Sequence, residues 1–180
     1  MGILCGRMNH IGAYIGEACR FYVMLLLFAG AAGKFANIRA FQGTLEILFD
    51  VPGAGSGAVA IGVVAVEVLV AFLLLIGGEA ARVGITAAAV LFLGFTGVIS
   101  MVLLRRTPVA CNCFGGASHE VSISDLVRSV GSLAACAFYV AQFDGRAVLS
   151  VAGLVMMFGV ALITAILSIR LSDIVSLSFR

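Results

Sequence analysis

A polytopic, all-α membrane bundle is what this chain of 180 residues specifies, and three observations specify it. Residues of the set AVILMFWYC make up 62% of the sequence, while charged residues make up only 11%. A soluble domain is closer to 45–50% apolar and about 25% charged. Mean hydropathy is +1.19. Third, the few charges fall between apolar runs of about 20 residues, the length that crosses a bilayer as a helix at about 1.5 Å per residue. A globule of this size cannot hide so much apolar side chain. The composition therefore excludes a soluble enzyme, a disordered chain and a nucleic-acid binder, and leaves the lipid bilayer as the principal partner. Buried parallel strands are excluded too, because they are short and punctuated by turns.

The elements follow from the gaps between charges. The first span covers 16–36; its uncharged core is 21–33, with Arg20 and Lys34 expected to snorkel at its ends. The N-terminus does not read as a cleaved signal, because Cys5 comes too early for a lipoprotein signal and Arg20 interrupts the apolar run. A short amphipathic segment, 40–49, sets Phe41, Leu45, Leu48 and Phe49 opposite Gln42, Glu46 and Asp50 and is expected on the membrane surface. The turn-rich stretch 50–57 leads into a second span, 58–77, with Glu67 near its middle. The third span, 83–104, is uncharged between Arg82 and the Arg105–Arg106 pair. The fourth, 123–143, carries Arg128 in its first turns, and the fifth is 147–169. A four-pass alternative demotes the fourth segment to an interfacial helix. Gly30, Gly33, Gly62, Gly94, Gly97, Gly131, Gly153 and Gly159 are expected to serve close helix packing. Neither an internal repeat nor a second domain is visible.

Five spans put the termini on opposite faces. Arg7, Arg20, Arg82 and Arg146 lie on one face; Lys34, Arg39, Arg105, Arg106, Arg128, Arg170 and Arg180 lie on the other. The positive-inside rule then places the 105–122 connection in the cytoplasm of a bacterial inner or plasma membrane.

That connection holds the reactive chemistry. Cys111 and Cys113 are separated by one residue, so their thiols can close a small, easily reduced disulfide ring. Arg105, Arg106 and the helix N-terminus downstream favour the thiolate. Phe114 and Gly115 shape the exposed turn, Gly letting another backbone approach closely. Four readings of the pair stay open: redox exchange, a structural disulfide, a soft-metal site (copper or zinc) completed by His119, and inert packing. Cys19 and Cys136 fall inside spans and read as packing. No quinone or flavin motif is present. Glu67 is costly in lipid unless paired or protonated. It either pairs with Lys34, Arg128 or Arg20, or accepts protons beside the thiols. Glu17 and Arg20, three apart, read as a mutual pair.

The sequence Cys111-Asn112-Cys113-Phe114-Gly115 after a long apolar helix resembles the Cys-x-Cys-Phe-Gly signature of the methylamine utilisation protein MauE family, part of a wider DoxX-like group of small membrane proteins. Ala29 to Lys34 is similar to the family's Ala-Gly-x-x-Lys helix ending, Glu67 matches its acidic residue in the second helix, and Asp125-Leu126-Val127-Arg128 resembles the start of its next helix. Ser129 stands where Asn or Asp is more usual. The resemblance covers about 20–141. It implies a four-helix membrane core and an accessory role beside a thioredoxin-like redox partner in maturing a disulfide-rich client. Two other functions remain open: a non-catalytic assembly scaffold with a structural disulfide, and a small-molecule or metal permease.

Overall fold

The computed structural model describes residues 2–49, 53–105, 123–142 and 150–178. The described residues form helices: α1 (Gly2–Ala36), α2 (Ile38–Phe49), α3 (Ala54–Ile76), α4 (Gly78–Arg105), α5 (Ile123–Gln142) and α6 (Val151–Ser178). All but α2 contain stretches long and apolar enough to cross a membrane: Ile11–Ala36, Gly55–Ile76, Gly78–Arg105, Ile123–Gln142 and Val151–Arg170. The chain is thus a multi-pass helical bundle, and the segment around Arg128 is long and apolar enough to span rather than only to lie at the interface.

Helices α1, α3, α4 and α5 pack in a closed ring, each against the next, and α6 lies against α1. The core is built from one face of each: Val23, Leu26 and Leu27 of α1, Ala71 and Leu74 of α3, Ile85, Ala88 and Phe92 of α4, Cys136 of α5 and Ala161 of α6. Edge-to-face aromatic pairs join α1 to its neighbours. Phe28 meets Phe72 of α3 with ring centres 5.6 Å apart, and Phe21 meets Phe158 of α6 at 5.5 Å. The opposite faces stay apolar and uncovered, as at Leu69, Val90, Leu93 and Ile163. In water such faces would be a liability; in a bilayer they are the lipid contact.

The turn between α3 and α4 is made by two glycines, Gly77 (φ 84°) and Gly78 (φ 58°), both in a left-handed region that other residues enter at a cost. The space beside Gly77 is used as well. A Cβ there would lie 3.2 Å from the Arg20 guanidinium, which reaches in to donate to the Leu74 carbonyl at the end of α3.

The glycines expected to pack helices divide sharply. Gly153 does so, since a Cβ there would meet the Tyr14 ring at 2.7 Å. Gly62, Gly94, Gly97, Gly131 and Gly159 have nothing within 4 Å of that position among the described residues. Gly84, which is not among them, also serves a close approach, of α4 to α3, where a Cβ would stand 3.0 Å from Leu73 and 3.2 Å from Leu74. Glycine permits close approach but does not choose which face receives it.

Helix α2 starts at Ile38 and lays Phe41 and Leu45 against Ala60 and Val63 of α3. Its other side is exposed, Ile47 included. Ser56 donates its hydroxyl proton to Glu46 Oε1 at 2.7 Å, fastening α2 to the first turn of α3.

Candidate functional site

Among the described residues Lys34, Arg20 and Arg128 are the buried cations, and each has a partner supplied by another helix. Polar groups inside a bilayer are expensive unless matched in this way.

Lys34, near the end of α1, is 1% exposed and forms an ion pair with Glu67, also 1% exposed, halfway along α3. Its ammonium donates to Glu67 Oε1. The same ammonium stands 4.6 Å from the centre of the Phe95 ring of α4 and 5.8 Å from that of Phe41 of α2. Four helices therefore converge on one charge, with aromatic faces replacing the water it has lost. Glu67 Oε2 has no hydrogen-bond partner among the described residues, although the oxygen is fully buried. An orphaned carboxylate oxygen of this kind costs free energy, and it is a place where a proton or a ligand donor could be received.

Arg20 is 6% exposed. Its Nε donates to Glu17 Oε2 at 2.6 Å, and its Nη1 donates to the carbonyl of Leu74. The last carbonyls of a helix lack intrahelical donors and carry the negative end of the dipole, so a guanidinium at the end of α3 meets both needs. Arg20 and Lys34 therefore do not snorkel towards the bilayer surface. Each finds a better acceptor inside the bundle.

Arg128 is turned the other way. From α5 it donates to the carbonyls of Ser168 at 3.0 Å and Ile169 at 3.5 Å on α6, with Asp125 3.5 Å away. Next to it Ser129, wholly buried, shares a 2.7 Å hydrogen bond with Thr96 of α4 and donates to the Phe92 carbonyl at 3.2 Å. Of the three partners considered for Glu67, the structure brings Lys34 and sends Arg20 and Arg128 elsewhere. The hydroxyl link between Thr96 and Ser129 was not anticipated. Its only sequence signal is a polar residue recurring on an apolar helix face.

Arg105 ends α4 as an exposed residue. Cys111, Cys113, Phe114, Gly115, Arg106 and His119 lie outside the described residues, as does the soft-metal set that includes them. What the structure supplies around them is the frame: α4 ends at Arg105 and α5 begins at Ile123. Lys34 and its pair with Glu67 belong to the same end of α1 that leads into α2.

A family model described as methylamine utilisation protein MauE matches residues 12–142. That stretch takes in Lys34, Glu67, both cysteines of the connection and Arg128, and leaves out α6. The methylamine utilization protein MauE of Paracoccus denitrificans is 30% identical over 114 residues, 63% of this chain and 61% of that protein. The chain thus spans less than two thirds of the length of this curated relative. No solved structure matches.

Proposed function

The chain belongs to the MauE family and is a multi-pass protein of the cell membrane, and from that premise we propose that it exchanges thiols and disulfides with a thioredoxin-like partner during maturation of a client protein. The observation that carries the reading is Cys111-Asn112-Cys113-Phe114-Gly115, within the matched stretch and between the end of α4 and the start of α5. The names of the family and of the Paracoccus relative support methylamine utilisation as the setting.

The exchange balances without a further reagent. A thiolate of the pair attacks the partner's disulfide, and one partner sulfur leaves as thiolate. The second cysteine of the pair then attacks the mixed disulfide, closing Cys111–Cys113 and releasing the partner's other thiolate. The two protons lost by the cysteines pass to the two partner sulfurs, and the reverse reaction oxidises the partner. The frame contributes positive charge at Arg105 and the N-terminal end of α5, both of which favour thiolate over thiol. Glu67 is the acidic group suited to accept a proton within the bundle, and Lys34 holds it in place. Such a protein is a thiol–disulfide oxidoreductase by reaction type.

Differential alkylation in intact cells tests the reading. Cys111 and Cys113 are expected to shift together between dithiol and disulfide when oxidant or reductant is added, and Cys111→Ser is expected to abolish client maturation. Identical alkylation under both conditions, together with a silent Cys111→Ser, overturns it. A pair that is permanently oxidised while maturation proceeds instead makes the protein an assembly scaffold with a structural disulfide.

A further inference from the structure

Of the three cysteines outside the Cys-x-Cys connection, two have described side chains, and neither has a part in that exchange. Cys19 is half-buried on α1 and Cys136 is 1% exposed on α5, and both are free thiols. They share one helix interface. A Cβ on Gly12 would collide with the Gln142 side chain, and one on Gly16 would stand 3.8 Å from both Gln142 and Tyr139. As α1 ascends from 12 to 16, α5 therefore descends from 142 to 139, and the two helices run antiparallel.

Continuing that register by one turn sets Cys19 opposite Cys136. Positions 12, 16, 19 and 23 share one face of α1, and 142, 139, 136 and 132 share one face of α5. Val23 and Ser132, at the next step, are each 0% exposed, so the interface continues through the cysteines. Helices usually pack with axes about 8–10 Å apart. A disulfide needs its two Cα atoms within about 4.4–6.8 Å. Glycine at 12 and 16 removes the side chains that would hold α5 away, which favours the shorter separation.

We infer that Cys19 and Cys136 form a second thiol–disulfide site, joining α1 to α5 at the end of the bundle remote from the Cys-x-Cys connection. Cys136 is 13 residues into α5, or about 20 Å along its axis from the end that carries the connection. The positive-charge balance puts this end on the non-cytoplasmic side, where disulfides persist. Cys19, the more accessible thiol, attacks an incoming disulfide and releases one of its sulfurs as thiolate. Cys136 then attacks the Cys19 mixed disulfide, forming the Cys19–Cys136 bond and releasing the second sulfur. The two protons leave with the reduced reagent. The site stands independently of any activity at Cys111 and Cys113.

The test uses full-length protein in native membranes and dipyridyl disulfide, a small membrane-permeant disulfide. Remaining thiols are then blocked with N-ethylmaleimide, and the digest is mapped by mass spectrometry. The expected product is a peptide pair linked through Cys19 and Cys136, lost in C19S and in C136S and retained in a Cys111→Ser/Cys113→Ser variant. Recovery of Cys19 and Cys136 on separate peptides, each carrying its own pyridylthio or maleimide group, overturns the inference. A link from Cys19 to any other cysteine also overturns it. Because the wild-type digest decides the matter, a variant that fails to fold does not obscure the result.

Discussion

The pair between Lys34 and Glu67 is the most consequential contact inside the bundle, because both charges have left water completely. Removing one member strands the other. Glu67→Ala or Lys34→Ala is therefore expected to cost about 3–5 kcal/mol. Replacing both at once, as Lys34→Met with Glu67→Leu, is expected to restore most of that stability, since an apolar pair of similar volume suits the site. Unfolding followed by circular dichroism in detergent measures all three, and strictly additive losses would contradict the account. The charges themselves were legible in the sequence, because lipid excludes a lysine or glutamate that has no reason to be there. Their pairing was not. Whether Glu67 meets Lys34, Arg20 or Arg128 depends on how each helix is rotated about its axis, and an apolar run with little periodicity does not record that rotation.

Helices in lipid gain nothing from hiding apolar faces from each other, so their attachments come from packing and polar contacts. Arg20 joins α1 to the end of α3, Ser129 joins α5 to α4, and Arg128 joins α5 to α6. The last is the attachment of a helix that lies outside the family match. Arg128→Gln removes the fork that holds two α6 carbonyls and is expected to cost about 1.5–3 kcal/mol, the range for hydrogen bonds to a charged group. Limited proteolysis of α6 should accelerate in this variant while α3 and α4 stay protected; unchanged cleavage would show that the Arg128 contacts contribute nothing. Five spans were legible from the charge-free runs but their ends were not: α4 starts at Gly78 rather than 83, α6 at Val151 rather than 147, and the N-terminus differs most. The sequence starts the first span at 16, whereas α1 is already helical from Gly2. Arg20 looked like a span end because it is charged, yet its contacts with Glu17 and Leu74 let it sit inside the helix.

Across the bilayer the bundle has two distinct ends. One carries the connection between α4 and α5, the other the α3–α4 turn and the interface that holds Cys19 and Cys136. Positive charge is concentrated at the first, so a membrane-impermeant maleimide is expected to reach Cys111 and Cys113 from inside-out vesicles and not from intact spheroplasts. Labelling from spheroplasts alone would invert the assignment and favour direct delivery of disulfides to an exported client. The bundle and its lipid-facing surface follow from composition, whereas the redox chemistry rests on five residues of a connection that composition does not describe. Trapping tests that chemistry most directly. The wild-type protein, expressed with a thioredoxin-like protein that lacks its own resolving cysteine, is predicted to accumulate a mixed disulfide through Cys111 or Cys113, as the lone thiolate of that partner opens the Cys111–Cys113 disulfide and releases the other cysteine as thiolate; the product is identified as a linked peptide and released by reductant. A Cys111–Cys113 pair that never links to it, under conditions where the thioredoxin-like protein traps other partners, would contradict thiol–disulfide exchange as the activity of this protein.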